Sequence, residues 1–357
     1  MRVISFALVG LFVLFATLGF GLLPLQRASA QEGAPPPLRS IGVGFARHAF
    51  GPWTARIADG SFTQATGRRL RWLPHDTDSA VAAAFASGKL DIAIIGASVA
   101  VAAAQRGIDL KVFFVAGSSS LSDGLVMMAH KDSVPGEPKS LQGKVIATPF
   151  GSSAHFRLLE SCRRWGLSMT AMRLVNLQTQ QIEGAWRRGE VDGAAVSSPL
   201  LEALMTRGHP VPLPEPAART SASSGHTGLM LMVASSEFVA SHAVFLSRFV
   251  DVVARADLAM AQKGLANAER EDAINAVTFI TGVAPEAVSA SMLRYRPPAL
   301  AEQSSSRWLG GGPQSGLVAE MDRIADLLRW AGRFSGKDID FAALLAPEPV
   351  QLAATYK

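Results

Sequence analysis

Short apolar runs rich in Val and Ile alternate with helix-patterned segments through much of this chain, in two successive series. Strands that are apolar along their whole length are buried on both faces, so this rhythm predicts parallel-type sheets clad by helices. In the first series the pattern predicts strands at Ile41–Phe45, Leu70–Leu73, Leu90–Ile95 and Leu110–Val115, with helices at Trp53–Thr66, Ser79–Ser87 and Ser98–Gln105 between them. The second series starts near Val126. It places strands at Val145–Ala147, Arg173–Leu177 and Val191–Val196, helices at Ser153–Arg164, Gln181–Arg188 and Pro199–Thr206, and a returning strand at Leu229–Val233. Beyond this the periodicity is helical, over Ala243–Gln262, Asp272–Thr281 and Leu317–Trp330. No repeat of solenoid period is present.

The ends bound the compartment. MRVISFALVGLFVLFATLGFGLLPLQRASA places one Arg before a long apolar run and ends on Ala28-Ser29-Ala30, a small-x-small site that predicts a secretory leader cleaved before Gln31. The alternative is a retained anchor, since Val3 to Leu25 is near spanning length. Removing 30 of 357 residues leaves 327, which suits two lobes better than one core. Arg2 and Arg27 leave with the leader, so the net charge falls from +5 to +3, too little for a nucleic-acid partner. Cys162 is the one cysteine, which excludes a disulfide framework and a zinc site; it reads as a small core residue. The histidines show no metal-ligand spacing, no G-x-S-x-G elbow occurs, and Gly310–Pro313 follows no strand. No cofactor, metal site or catalytic set is expected.

The stretch Gly143–Gly166 carries the most chemistry. A strand-like run, Val145 to Ala147, is broken by Pro149 and Gly151, and Ser152 and Ser153 then stand where a helix N-cap belongs. The first N–H groups of such a helix lack intrahelical partners and carry the positive end of its dipole. Strand–PFGSSAH–helix is therefore an anion seat whose hydroxyls can also donate. Gly96-Ala97-Ser98 and Asp76-Thr77-Asp78-Ser79 are two further strand-to-helix turns of this kind.

PF-x-S-S-x-H with WG, then Val175-Asn176-Leu177, AWRRGEVDGA (Ala185–Ala194) and Pro199, resembles the periplasmic taurine and aliphatic-sulfonate binding proteins of ABC importers. The resemblance is colinear from about Ile41 to the C-terminal helix and densest from Gly143 to Leu204. It implies a two-lobe, type II-like periplasmic-binding-protein fold: 31–125 with 232–357 as one lobe, 126–231 as the other, and the ligand between them. It also implies a small organosulfonate as ligand, an inner-membrane ABC permease as partner, a monomer and no catalysis. Ser152, Ser153, Ala154 and His155 become candidate ligand contacts, as do Ala97 and Ser98, each with ordinary capping or packing as its alternative. Asp76 to Ser79 read as caps. Arg47 and His48 lie in a loop one residue longer than the family's; Arg47 either meets a second anionic group or is solvated. Asp123 matches an acidic family position, at the pocket edge or between the lobes. Close taurine binders carry Asp and Trp where Met230 and Met232 stand, and Trp where Ser197 stands. With no carboxylate there, the expectation is that an amino-sulfonate is disfavoured. Two other readings are a ligand-sensing module for a membrane receptor and an enzyme of the related thiamine-pyrimidine synthase class. The latter needs a cysteine-rich C-C-C-F-C motif that this chain lacks. Other small oxyanions remain open as ligands.

Overall fold

A computed structural model describes residues 39–118, 123–128, 138–197, 200–211, 229–263, 267–295, 297–332 and 338–356. The segment expected to be a leader, and its expected cleavage site, lie outside them. The first series forms β1 (Ile41–Ala46), α1 (Pro52–Ala58), α2 (Ser61–Thr66), β2 (Leu70–His75), α3 (Asp78–Ala86), β3 (Ile92–Gly96), α4 (Ala97–Gln105) and β4 (Lys111–Ser118). The second forms β5 (Asp123–Met128), β6 (Val145–Thr148), α5 (Ser153–Arg164), β7 (Arg173–Asn176), α6 (Thr179–Arg188), β8 (Gly193–Ser197), α7 (Leu200–Met205) and β9 (Gly208–Val211). Then follow β10 (Leu229–Ala234), α8 (Ser236–Ser241), α9 (Ala243–Lys263), α10 (Asn267–Thr281), α11 (Pro285–Arg294), α12 (Leu300–Gln303), α13 (Gly316–Trp330) and α14 (Glu348–Ala353).

The strands make two five-stranded sheets, ordered β2-β1-β3-β10-β4 and β7-β6-β8-β5-β9. In each, the fourth strand in the order runs against its neighbours, β10 in the first and β5 in the second. The sheets are therefore mixed: four strands share a direction, as the alternation predicts, and one returns antiparallel. The expected lobe switches at 125/126 and 231/232 fall inside strands. Backbone pairing already commits Asp123–Leu125 to β8 and Leu229–Leu231 to β4 and β3.

β1, β3 and β10 are buried at every position, as strands covered on both faces must be. One face of the first sheet packs on α9 through aromatic rings: Trp72 stacks between Trp53 at 6.0 Å and Phe249 at 5.9 Å. Such pairs favour offset or edge contacts at these centroid distances. The helix expected over Trp53–Thr66 is two helices. Gly60 adopts a left-handed φ of 74°, and the Asp59 carboxylate accepts from the Ser61 N–H at 2.9 Å, restarting the helix there. Among the described residues no helix is long and apolar enough to cross a membrane.

Candidate ligand-binding cleft

In a parallel α/β arrangement each strand delivers its chain to a helix N-terminus at its carboxyl end, and ligands bind beyond those ends. Here the carboxyl ends of β1, β2, β6, β7 and β8 converge on one cavity of about 410 Å³. Arg47 and His48 line it after β1, Asp76 to Ser79 after β2, Pro149 and Ser152 after β6, Thr179 and Gln180 after β7, and Val196 and Ser197 at the end of β8. Leu200 of α7 and Thr281 to Ala284, from the last residue of α10 to the start of α11, add the remaining wall.

The β6–α5 turn is fixed by its own hydrogen bonds. Gly151 takes φ 85°, a left-handed conformation that Gly adopts without strain. Its N–H donates to His155 Nδ1 at 3.1 Å, and the Phe150 N–H donates to Asn176 Oδ1 at 2.9 Å. Ser152 caps α5, its hydroxyl oxygen accepting from the His155 N–H at 3.2 Å, which leaves the hydroxyl proton available to a ligand. His155 is buried, stacks on Phe150 at 4.9 Å and holds the turn rather than facing the 410 Å³ cavity.

The cations of the cavity wall stand beside acids. Arg47 Nε lies 3.3 Å from Asp76 Oδ1, and a second guanidinium nitrogen donates to the Thr281 carbonyl at 3.4 Å. His48 Nε2 lies 3.6 Å from Asp78 Oδ2. Thr77 caps α3 through Ala80 N–H, as the sequence suggests, and the turn also faces the cavity. Asp78 sits in the first turn of α3, whereas the first turns of α5 and α6 contain no acid. The positive ends of α5 and α6 are thus the ones open to an anion.

Of the residues expected from sequence, Arg47, His48, Ser152 and Ser197 come together at this cavity. Ser98 and Ala97 are buried beside it. The Ser98 hydroxyl donates to the Gly151 carbonyl at 3.2 Å, and Ser79 donates to the Phe150 carbonyl at 3.0 Å. These two bonds join α3 and α4 of the first sheet to the β6–α5 turn of the second. Asp78 Oδ2 lies 3.3 Å from where a Cβ on Gly96 would stand, so a carboxylate already occupies the approach to the α4 N-terminus. Ala154 is buried, and Ser153, half-buried at the start of α5, lines neither this cavity nor the neighbouring one of about 300 Å³. His155, Ser79 and Gly151 face that smaller cavity, with Phe150, Phe156 and the alanines of α3 and α4. Met230 pairs with Gly96 in the middle of the first sheet, and both it and Met232 are buried away from the cavity. Met230 therefore gives no reason for an ammonium group to be disfavoured, and among the described lining residues the carboxylates are Asp76 and Asp78. Asp123 heads β5 opposite Ser197; its side chain lies outside the described residues. Sequence reasoning missed Thr179, Gln180 and Thr281 to Ala284. Gln178 and Gln181 form a capping box, the Gln178 N–H donating to Gln181 Oε1 at 2.8 Å, and that Q-T-Q-Q pattern was the available signal for the first pair.

Two mixed sheets with a polar cleft at their strand ends define the periplasmic-binding-protein fold. The NMT1/THI5-like family model matches residues 64–263, more than half of the chain, and the chain belongs to that family. It is 35% identical over 147 residues to the taurine-binding periplasmic protein of Escherichia coli (strain K12), a match covering 41% of this chain and 45% of that one. Over 279 residues, 78% of this chain and 82% of the relative, it is 24% identical to the putative aliphatic sulfonates-binding protein of the same organism. The alkanesulfonate-binding protein SsuA from Xanthomonas axonopodis pv. citri, bound to MOPS, superposes with a TM-score of 0.66 at 19% identity, covering 88% of this chain and all of that one. The periplasmic aliphatic sulphonate binding protein SsuA from Escherichia coli gives 0.63 at 18%, covering 86% and 97%. At these identities the superpositions speak for the fold.

Proposed function

We propose that this chain is the periplasmic substrate-binding component of an ABC importer and that it binds a small organosulfonate, reversibly and without catalysis, between its two sheets. The observation that carries this is the convergence of two acid-free helix N-termini, Ser152 of α5 and Thr179–Gln180 of α6, with the Ser197 position on one cavity. A sulfonate is a weakly basic anion with three acceptor oxygens. Oriented N–H groups and hydroxyls satisfy it without a free cation. A volume of about 410 Å³ suits a small ligand with an apolar tail, which Pro149, Val196, Leu200 and Val283 would cover. The named relatives support the ligand class and the compartment.

On this reading β1–β4, β10 and the C-terminal helices form one lobe and β5–β9 the other, a monomer delivers the ligand to an inner-membrane permease, and the leader is removed before Gln31. Thermal unfolding of the chain lacking residues 1–30, in the presence of alkyl and aryl sulfonates, tests it. A ligand at 100 times its Kd adds about 2.7 kcal/mol of stability. Stabilisation by sulfonates but not by acetate is the expected result; no shift with any sulfonate would refute the reading. N-terminal sequencing of the secreted protein tests the cleavage site.

A further inference from the structure

The charges around the cavity restrict which sulfonates it accepts. Resting on the binding function above, we propose that Asp76 and Asp78 act as a charge filter: the site takes sulfonates whose tail is neutral or cationic and rejects those bearing a second anionic group. Among the described lining residues the cations are Arg47 and His48, facing the carboxylates Asp76 and Asp78. Whether the imidazole is neutral or protonated, that wall has no surplus of positive charge. Arg47 has its guanidinium on Asp76 and on the Thr281 carbonyl, so it is not held ready for a ligand carboxylate. Asp78 is 5% exposed, and its Oδ1 has no hydrogen-bond partner. Little water screens its charge, and no N–H group neutralises that oxygen.

The anion end of the ligand is drawn to α5 and α6, where the first turns lack acids. Its tail then points at the wall of the first sheet, where Asp78 begins α3 and stands beside Gly96 at the start of α4. A sphere of the cavity's volume is about 9 Å across, close to the Debye length of about 8 Å at physiological salt, and partly buried charges are screened less than that. A second anion anywhere in the tail is therefore repelled by Asp78.

Calorimetric titration of the chain lacking residues 1–30 tests this with isethionate and sulfoacetate, which differ chiefly in the charge of the tail. Sulfoacetate is expected to bind at least about tenfold more weakly than isethionate. Asp78→Asn and, separately, Asp76→Asn, which releases Arg47, are each expected to narrow the ratio at least about fivefold, mainly by strengthening sulfoacetate. Asp78 opens a helix; should Asp78→Asn fail to fold, Asp76→Asn decides. Equal binding of the two probes by the wild-type chain, or an unchanged ratio in the folded variants, would overturn the filter while leaving sulfonate binding intact. Failure of the wild-type chain to bind either probe or any other sulfonate would overturn the binding function, and the filter with it.

Discussion

Ser79 and Ser98 offer a way to separate closing of the cleft from contact with the ligand. Their hydroxyls donate to the Phe150 and Gly151 carbonyls at 3.0 and 3.2 Å, and both bonds cross from the first sheet's helices to the turn of the second. A hydroxyl-to-carbonyl bond contributes about 1 kcal/mol net, so the double variant Ser79→Ala, Ser98→Ala loses about 2 kcal/mol of closing energy. At 1.4 kcal/mol per factor of ten, this lowers the closed-to-open ratio about 30-fold; from near parity in the unliganded chain, the closed fraction falls from about half to about 3%. The apparent affinity for a ligand that binds the closed form falls with it. Stability should change little, because alanine is a better helix former than serine and both residues lie in helices. Small-angle scattering without ligand and calorimetry with a sulfonate measure the two quantities. The expected result is a more open unliganded variant with an affinity loss of roughly an order of magnitude or more. Affinity within twofold of wild type at unchanged compactness would refute the latch. A large affinity loss with no change in compactness would show instead that one of the two hydroxyls touches the ligand, and the single variants would say whether it is Ser79, which lines the cavity, or Ser98.

Ser152→Ala removes a hydroxyl from the proposed anion seat and should weaken sulfonate binding by about 1.5–3 kcal/mol, the range for hydrogen bonds to charged groups; losing the cap should lower stability by about 1 kcal/mol, read by denaturant titration. Cys162 is fully buried and burial pushes its thiol up to about 12, so a thiol reagent at pH 8 should leave the folded chain unmodified and react with one equivalent after denaturation. Burial pushes the Asp257 carboxyl well above its ordinary range, offset only in part by the Tyr295 hydroxyl beside it. The folded state thus holds a proton that the unfolded chain releases near pH 4, and stability is full below that value and declines as pH rises toward the raised one. Asp257→Asn should remove this decline, and its melting temperature relative to wild type should rise progressively from about pH 4 to 7; a constant difference across that range would contradict the assignment.

What the sequence shows clearly is what local chemistry determines. Val145 to Ala147 is a strand because its run is apolar, Gly151 must turn because it needs a positive φ, and α5 spans Ser153–Arg164 as its cap and stripe require. The antiparallel course of β5 and β10 was hidden, because strand direction is set by partners far along the chain and not by the strand's own residues. For the same reason the wall built by Thr281 to Ala284 was not legible: nothing near those residues says that α10 returns to the cleft.

The serines show where local reading runs out. Ser79, Ser98 and Ser152 all stand at strand-to-helix turns, and an isolated turn of this kind predicts the same thing for each, an N-cap or an anion contact. In the folded chain only Ser152 both caps its helix and lines the larger cavity with its helix end clear of acids. Ser98 faces the Gly151 carbonyl, a hydrogen-bond acceptor that cannot be replaced by an anion without opening the contact. Ser79 faces the Phe150 carbonyl from a helix whose first turn already holds Asp78. On the proposed reading, which hydroxyl meets a ligand is decided by the group opposite it: carbonyls of the other sheet's turn already take the Ser79 and Ser98 hydroxyls, whereas the Ser152 hydroxyl lines the cavity.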